Sequence, residues 1–130
     1  KRIYVVPYHH FLRNKTWFGV RIEPEMYRAL ATHEAAHAIA ACNFMTPNPT
    51  IQAKEYLAYA AMFATMSTQL REKALRETKT VGFKELERFT PMLYMFDPMR
   101  FGAEAYKHFS TLEDPINTVK SILSGQSLSN

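Results

Sequence analysis

With 130 residues and a hydrophobic fraction of 47%, the chain is long and apolar enough for one domain with its own core, and too apolar to stay disordered. Its net charge of +4 is densest at residues 69–79, where Arg71, Lys73, Arg76 and Lys79 alternate with Glu72 and Glu77; that mixture is a solvated helix surface, and it argues against nucleic-acid binding. No apolar run approaches the length of a bilayer span, and the single cysteine excludes both an internal disulfide and a Cys-rich zinc site.

That cysteine, Cys42, reads as a small buried hydrophobe, since no basic neighbour activates it. The chain starts at Lys1 without a methionine, as expected of a trimmed or mature form. Its address stays open between periplasmic or secreted and cytoplasmic.

Residues 3–6 and 17–22 are β-branched and aromatic runs separated by Arg13-Asn14-Lys15, and they predict two strands. Glu23-Pro24-Glu25 then starts a helix: proline suits the first turn and carboxylates suit the positive end of the helix dipole. This helix should run to residue 43 or 44, where Pro47 and Pro49 prevent its continuation. A second long helix is expected over 52–78, ahead of Gly82, and a short one over 83–89, closed by Pro91. Asp97-Pro98 and Asp114-Pro115 each pair a capping carboxylate with a first-turn proline, predicting helices over 98–109 and 115–123. Gly125 ends the last one, and 126–130 is expected to be a frayed tail. Neither repeat nor linker divides the chain. The expectation is one mainly helical α+β domain, residues 1–130, with a small N-terminal sheet.

Thr32-His33-Glu34-Ala35-Ala36-His37 holds His-Glu-x-x-His inside a predicted helix. Residues four apart share one helix face, so both imidazoles can converge on one ion. Glu34 lies about 100° round the helix from His33 and flanks that ion without having to bind it. In metallopeptidases with this motif the ion is zinc, and the glutamate is general base to its water. Ala29, Ala31, Ala35, Ala36, Ala38, Ala40 and Ala41 keep the helix slim enough for close approach by other elements.

A catalytic zinc ordinarily takes three protein ligands. Glu55 is the candidate third: it opens the next helix, and Tyr59, Met62 and Met66 continue its face as an apolar stripe. A carboxylate heading such a stripe is buried only when paired or metal-bound. His9 and His10 read as surface or structural residues, and the methionines of 62–66 and 92–99 as core filler.

His33-Glu34-x-x-His37, a loop and then Glu55-Tyr-Leu-Ala-Tyr resembles the gluzincin branch of HExxH zinc metallopeptidases, in the minimal form of small bacterial zincin-like domains. The resemblance spans residues 18–59. It implies a zincin-like fold, a zinc cofactor held by His33, His37 and Glu55, Glu34 as general base, and a peptide or protein substrate bordered by the strand at 17–22. Such enzymes also use a downstream Tyr or His to stabilise the oxyanion; Tyr94, Tyr106 and His108 are the candidates. Lys54 stands where an asparagine is usual, and the His37–Glu55 spacing is one residue shorter than in the aminopeptidase pattern. The expected function is a zinc-dependent peptidase. The alternative is a catalytically silent zincin-like domain that binds metal or a partner.

Overall fold

The computed structural model describes residues 2–130. Its elements run α1 (Tyr8–Phe11), β1 (Thr16–Trp17), β2 (Val20–Arg21), α2 (Pro24–Ala41), α3 (Ile51–Thr65), α4 (Thr68–Glu77), α5 (Pro91–Phe96), α6 (Pro98–Ser110) and α7 (Pro115–Leu123). The fold is mainly helical with one small two-stranded antiparallel sheet. No described helix is long and apolar enough to cross a membrane.

α3 is the axis of the core. Ala53, Tyr56, Ala58, Tyr59, Ala60, Met62 and Phe63 are all buried, which covers most of its circumference. A helix apolar all round must be wrapped by neighbours, and α2 and α6 supply the most extensive of these contacts. α2 buries Met26, Ala29, His33 and Ala40, a single stripe in which the alanines permit close approach. Thr50 caps α3 by accepting the Ala53 N–H at 3.2 Å. Asp97 and Asp114 cap α6 and α7 in the way their Asp-Pro pairs predict.

Several expected elements differ. Residues 3–6 form no strand: they have no partner edge, and the Val6 carbonyl instead accepts the Tyr27 hydroxyl at 2.7 Å. The expected strand at 17–22 is the turn and second arm of a hairpin, pairing Trp17 with Val20 and Thr16 with Arg21. Its turn residues Phe18 and Gly19 both have positive φ, 55° and 69°, the two-residue turn that matches strand twist. Left-handed backbone costs Phe18 about 1–2 kcal/mol. Complete burial of its ring against Tyr59 and Phe63, worth about 1.5–3 kcal/mol, offsets that cost.

The long helix expected over 52–78 breaks between α3 and α4. Ser67 leaves the helix to cap α4 through the Leu70 N–H, while Arg71 Nη1 donates to the Phe63 and Met66 carbonyls and closes α3. Residues 83–89 form only a 3-10 turn, Leu86–Arg88. The Glu104 carboxylate holds the chain just before it, accepting the Val81 and Gly82 N–H groups at 2.8 Å each. The tail at 126–130 is docked, not frayed: the Leu128 carbonyl accepts from Thr50 and the Asn130 carbonyl from Gln52. Cys42 is exposed, because it lies past the last turn of α2. Met62 and Met66 fill the core, but Met92 and Met95 are exposed, since the short α5 turns only Leu93 and Tyr94 inward, and Met99 is exposed in the first turn of α6, its sulfur accepting the Phe18 N–H at 3.2 Å.

Gly102 shows how tightly α6 is seated. A Cβ there would lie 2.8 Å from two ring carbons of Tyr59 and 3.1 Å from Phe18. Alanine's better helix preference is worth about 1 kcal/mol, less than the roughly 1–3 kcal/mol of overpacking. Gly102→Ala is therefore expected to lower the denaturant midpoint of unfolding, and an unchanged or raised midpoint would refute this packing account.

Candidate metal centre

The buried stripe of α2 places His33 against α3, and His37, one turn on, lies on the same side and half exposed. α3 begins at Ile51, so Glu55 sits in its second turn, facing α2. Glu55 is 9% exposed. His33 Nε2 lies 3.2 Å from Glu55 Oε2, and His37 Nε2 lies 3.2 Å from Glu55 Oε1. The two Nε2 atoms are 3.1 Å apart. Among the described residues this is the one group of three side chains whose donor atoms could hold a metal ion.

The dimensions test the fit. Zinc bonds of about 2.0–2.1 Å at tetrahedral angles put neighbouring ligand atoms about 3.3 Å apart. The observed 3.1–3.2 Å separations lie close to that edge length. Two imidazoles and a carboxylate are also a zinc-type donor set. Glu55 Oε2 is buried and has no hydrogen bond, as suits an acceptor awaiting a cation. His33 Nδ1 is likewise buried and unpartnered. Zinc-bound histidines ordinarily donate from that atom; here the ring is held instead by Tyr59, with centroids 4.2 Å apart.

Burial works against ionising Glu55, but close contact with the His33 and His37 imidazoles and their charge outweigh it and lower the carboxyl pKa to about 2. Burial raises the Tyr59 hydroxyl strongly, and the Glu55, Tyr94 and Glu34 charges add to this. Tyr94 rises for the same reasons, burial first and then the Glu55 and Glu34 carboxylates. Both phenols are therefore protonated donors at neutral pH. The Glu34 charge makes the smallest contribution to both shifts. Glu34 itself is half-buried, and no cation pairs with it among the described residues.

Of the downstream candidates, Tyr94 alone has its hydroxyl pKa raised by the Glu55 and Glu34 carboxylates. Tyr106 packs on Phe63 with Arg71 over its ring. His108 is buried, its Nδ1 2.6 Å from the Tyr56 hydroxyl. Neither is aimed at the centre, because helical spacing in α6 commits both to core contacts. His9 and His10 are exposed on α1 and meet edge to face. The sequence reading gave Tyr59 only a packing role; its position four residues after Glu55 was the signal that it shares the face of the centre.

The family of unknown function DUF6639 matches residues 2–130. The chain belongs to that family. No curated protein and no solved structure matches it.

The depressed Glu55 carboxyl has a consequence for the metal-free DUF6639 chain. Its folded pKa lies below the ordinary value, so its contribution is complete above about pH 4.5 and is lost as pH falls toward about 2. The stability gap between the parent and Glu55→Gln is expected to narrow across that window in chelator-treated protein. A gap that stays constant on acidification would show that Glu55 is not stabilised by the two imidazoles.

Proposed function

We propose that this protein is a zinc-dependent hydrolase of peptide bonds, with His33, His37 and Glu55 as ligands and Glu34 as general base. The convergence of the two Nε2 atoms and the Glu55 carboxylate at near-tetrahedral separations carries the reading. The unpaired Glu34 carboxylate beside them extends it from binding to chemistry. The likeness of the motif and the following glutamate to gluzincins supports the choice of peptide substrates.

Zinc supplies Lewis acidity, which polarises a substrate carbonyl and eases deprotonation of water. Glu34 accepts a proton from the attacking water as the carbon–oxygen bond forms. It returns that proton to the nitrogen as the carbon–nitrogen bond breaks. Tyr59 closes one side of the group against solvent and holds His33. Of the three oxyanion candidates, Tyr94 is the one whose hydroxyl responds to the Glu55 and Glu34 charges, which supports it for that role.

One observation favours a binding role instead. An apolar groove of about 390 Å³ runs along α2 and α3, lined by Ala36, Ile39, Ala40, Leu57 and Ala61 among others. Such a groove suits a partner, and a silent zincin-like domain would retain the metal without needing Glu34.

After zinc reconstitution, elemental analysis is expected to find one zinc per chain, none in His33→Ala or His37→Ala, and a weakened site in Glu55→Ala. Zinc should also raise the thermal midpoint, because a ligand of the folded state stabilises it. Glu34→Gln is expected to keep the zinc and lose at least about 10²-fold of the hydrolysis of a mixed peptide library. A parent without zinc sinks the whole proposal. A zinc-loaded parent without hydrolysis leaves only the binding role, and equal rates in parent and Glu34→Gln would place the turnover elsewhere.

A further inference from the structure

We infer that the outer surface of residues 2–15 docks the protein on an anionic lipid bilayer, its cations meeting the headgroups and its exposed apolar side chains entering the interface. The inference is independent of the metal centre and of hydrolysis.

Charge is segregated along the chain. Residues 1–22 hold five Lys and Arg and no Asp or Glu, whereas the rest of the chain holds eleven Lys and Arg against twelve Asp and Glu. The net positive charge therefore belongs to this segment. The cations at 69–79 are more closely spaced, but carboxylates are interleaved with them. Arg2, Arg13, Lys15 and Arg21 are exposed, and none of them lies within ion-pair distance of a carboxylate among the described residues. A surface of one sign of charge draws in partners of the other.

The same segment exposes apolar side chains that no part of the described fold covers. Tyr4 is 79% exposed, Val6 51%, Ile3 50% and Leu12 41%. Apolar groups set among cations fit the boundary of a bilayer, where acyl chains receive the first and anionic headgroups the second. Tyrosine suits that depth, being apolar in its ring and polar at its hydroxyl. A soluble polyanion would satisfy the cations and leave the apolar groups in water.

The surface is held in place by the body of the fold. Phe11 is its inward anchor, buried against Trp17 with ring centroids 5.4 Å apart. Tyr8 packs on Tyr27 at 5.2 Å, and the Tyr27 hydroxyl donates to the Val6 carbonyl at 2.7 Å. At the far end the Lys15 carbonyl accepts the Ile22 N–H at 3.0 Å. With Tyr8 and Phe11 turned inward, Leu12 and Arg13 are left facing outward. A surface already ordered in this way loses little further freedom on docking.

Co-sedimentation of the whole chain with vesicles tests the inference. Vesicles of phosphatidylcholine and phosphatidylglycerol in equal parts should bind the parent, and vesicles of phosphatidylcholine alone should not. Added salt should release the protein, since it screens surface charge. Each cation near an anionic surface contributes about fivefold in affinity, so Arg13→Gln with Lys15→Gln should weaken binding about 25-fold. Lys73→Gln with Arg76→Gln removes the same charge from α4 and should stay within about twofold of the parent, because a charge away from the membrane surface contributes little. Tyr4→Ser with Leu12→Ser keeps the charge and should weaken binding about tenfold or more, on the scale of two apolar side chains leaving water. All six positions are exposed, so every variant should keep the thermal midpoint of the parent. A parent that ignores the mixed vesicles overturns the inference, and so does equal binding to both kinds of vesicle. Equal losses in the two charge pairs would overturn it in favour of overall charge. Loss in the Arg13–Lys15 pair with none in the Tyr4–Leu12 pair, together with binding to heparin, would assign the surface to a soluble polyanion instead.

Discussion

A carboxylate buried in a helix that is otherwise apolar nearly all round must be compensated, and Glu55 is compensated by two imidazoles from the neighbouring helix. Removing one partner of a buried ionic group typically costs about 3–5 kcal/mol. That penalty fixes the register of α2 against α3: sliding either helix by one turn would strand Glu55 among alanines and aromatic rings. The alanines along α2 make the required closeness sterically feasible, and the loop between the helices, with Pro47 and Pro49, lets the second fold back on the first.

The rest of the structure is built onto that pair. The hairpin drives Phe18 into the core, where it packs on Tyr59, and Tyr59 in turn packs on His33. Gly102 brings α6 against the same tyrosine, closer than any side chain would allow. From α6, Phe101 supports Tyr94 on α5, and Glu104 anchors the chain that leads there from α4. Core packing and the geometry of the centre are therefore coupled through Tyr59.

The histidines show how partners decide chemistry. His33 and His37 meet a carboxylate and lower its pKa to about 2, which keeps it an anion ready for a cation. His108, as buried as His33, meets a phenol and Phe89; burial depresses its pKa and keeps it neutral, although a bond to the Lys84 backbone and the Glu87 charge oppose this. A buried histidine beside a hydroxyl is a core hydrogen-bond partner, whereas a pair sharing a carboxylate is a donor set.

The sequence by itself determined α2, the capped starts of α6 and α7, and the candidate triad, because these depend on local rules. Proline and carboxylates mark helix starts, and a spacing of four places two histidines on one face. Glu55 was legible because a lone carboxylate on an apolar stripe has few stable explanations. What escaped the sequence depended on partners distant in the chain. Residues 3–6 have strand composition but no edge to pair with, and the helix over 52–78 has helical composition but breaks where Ser67 and Arg71 satisfy its ends. Tyr94, Tyr106 and His108 were indistinguishable in sequence. Only the packing of α5 and α6 on α3 separated them: Tyr94 rests on Phe101 and responds to the charges of Glu55 and Glu34, while the other two face the core, because the direction of a side chain follows from what its helix rests on.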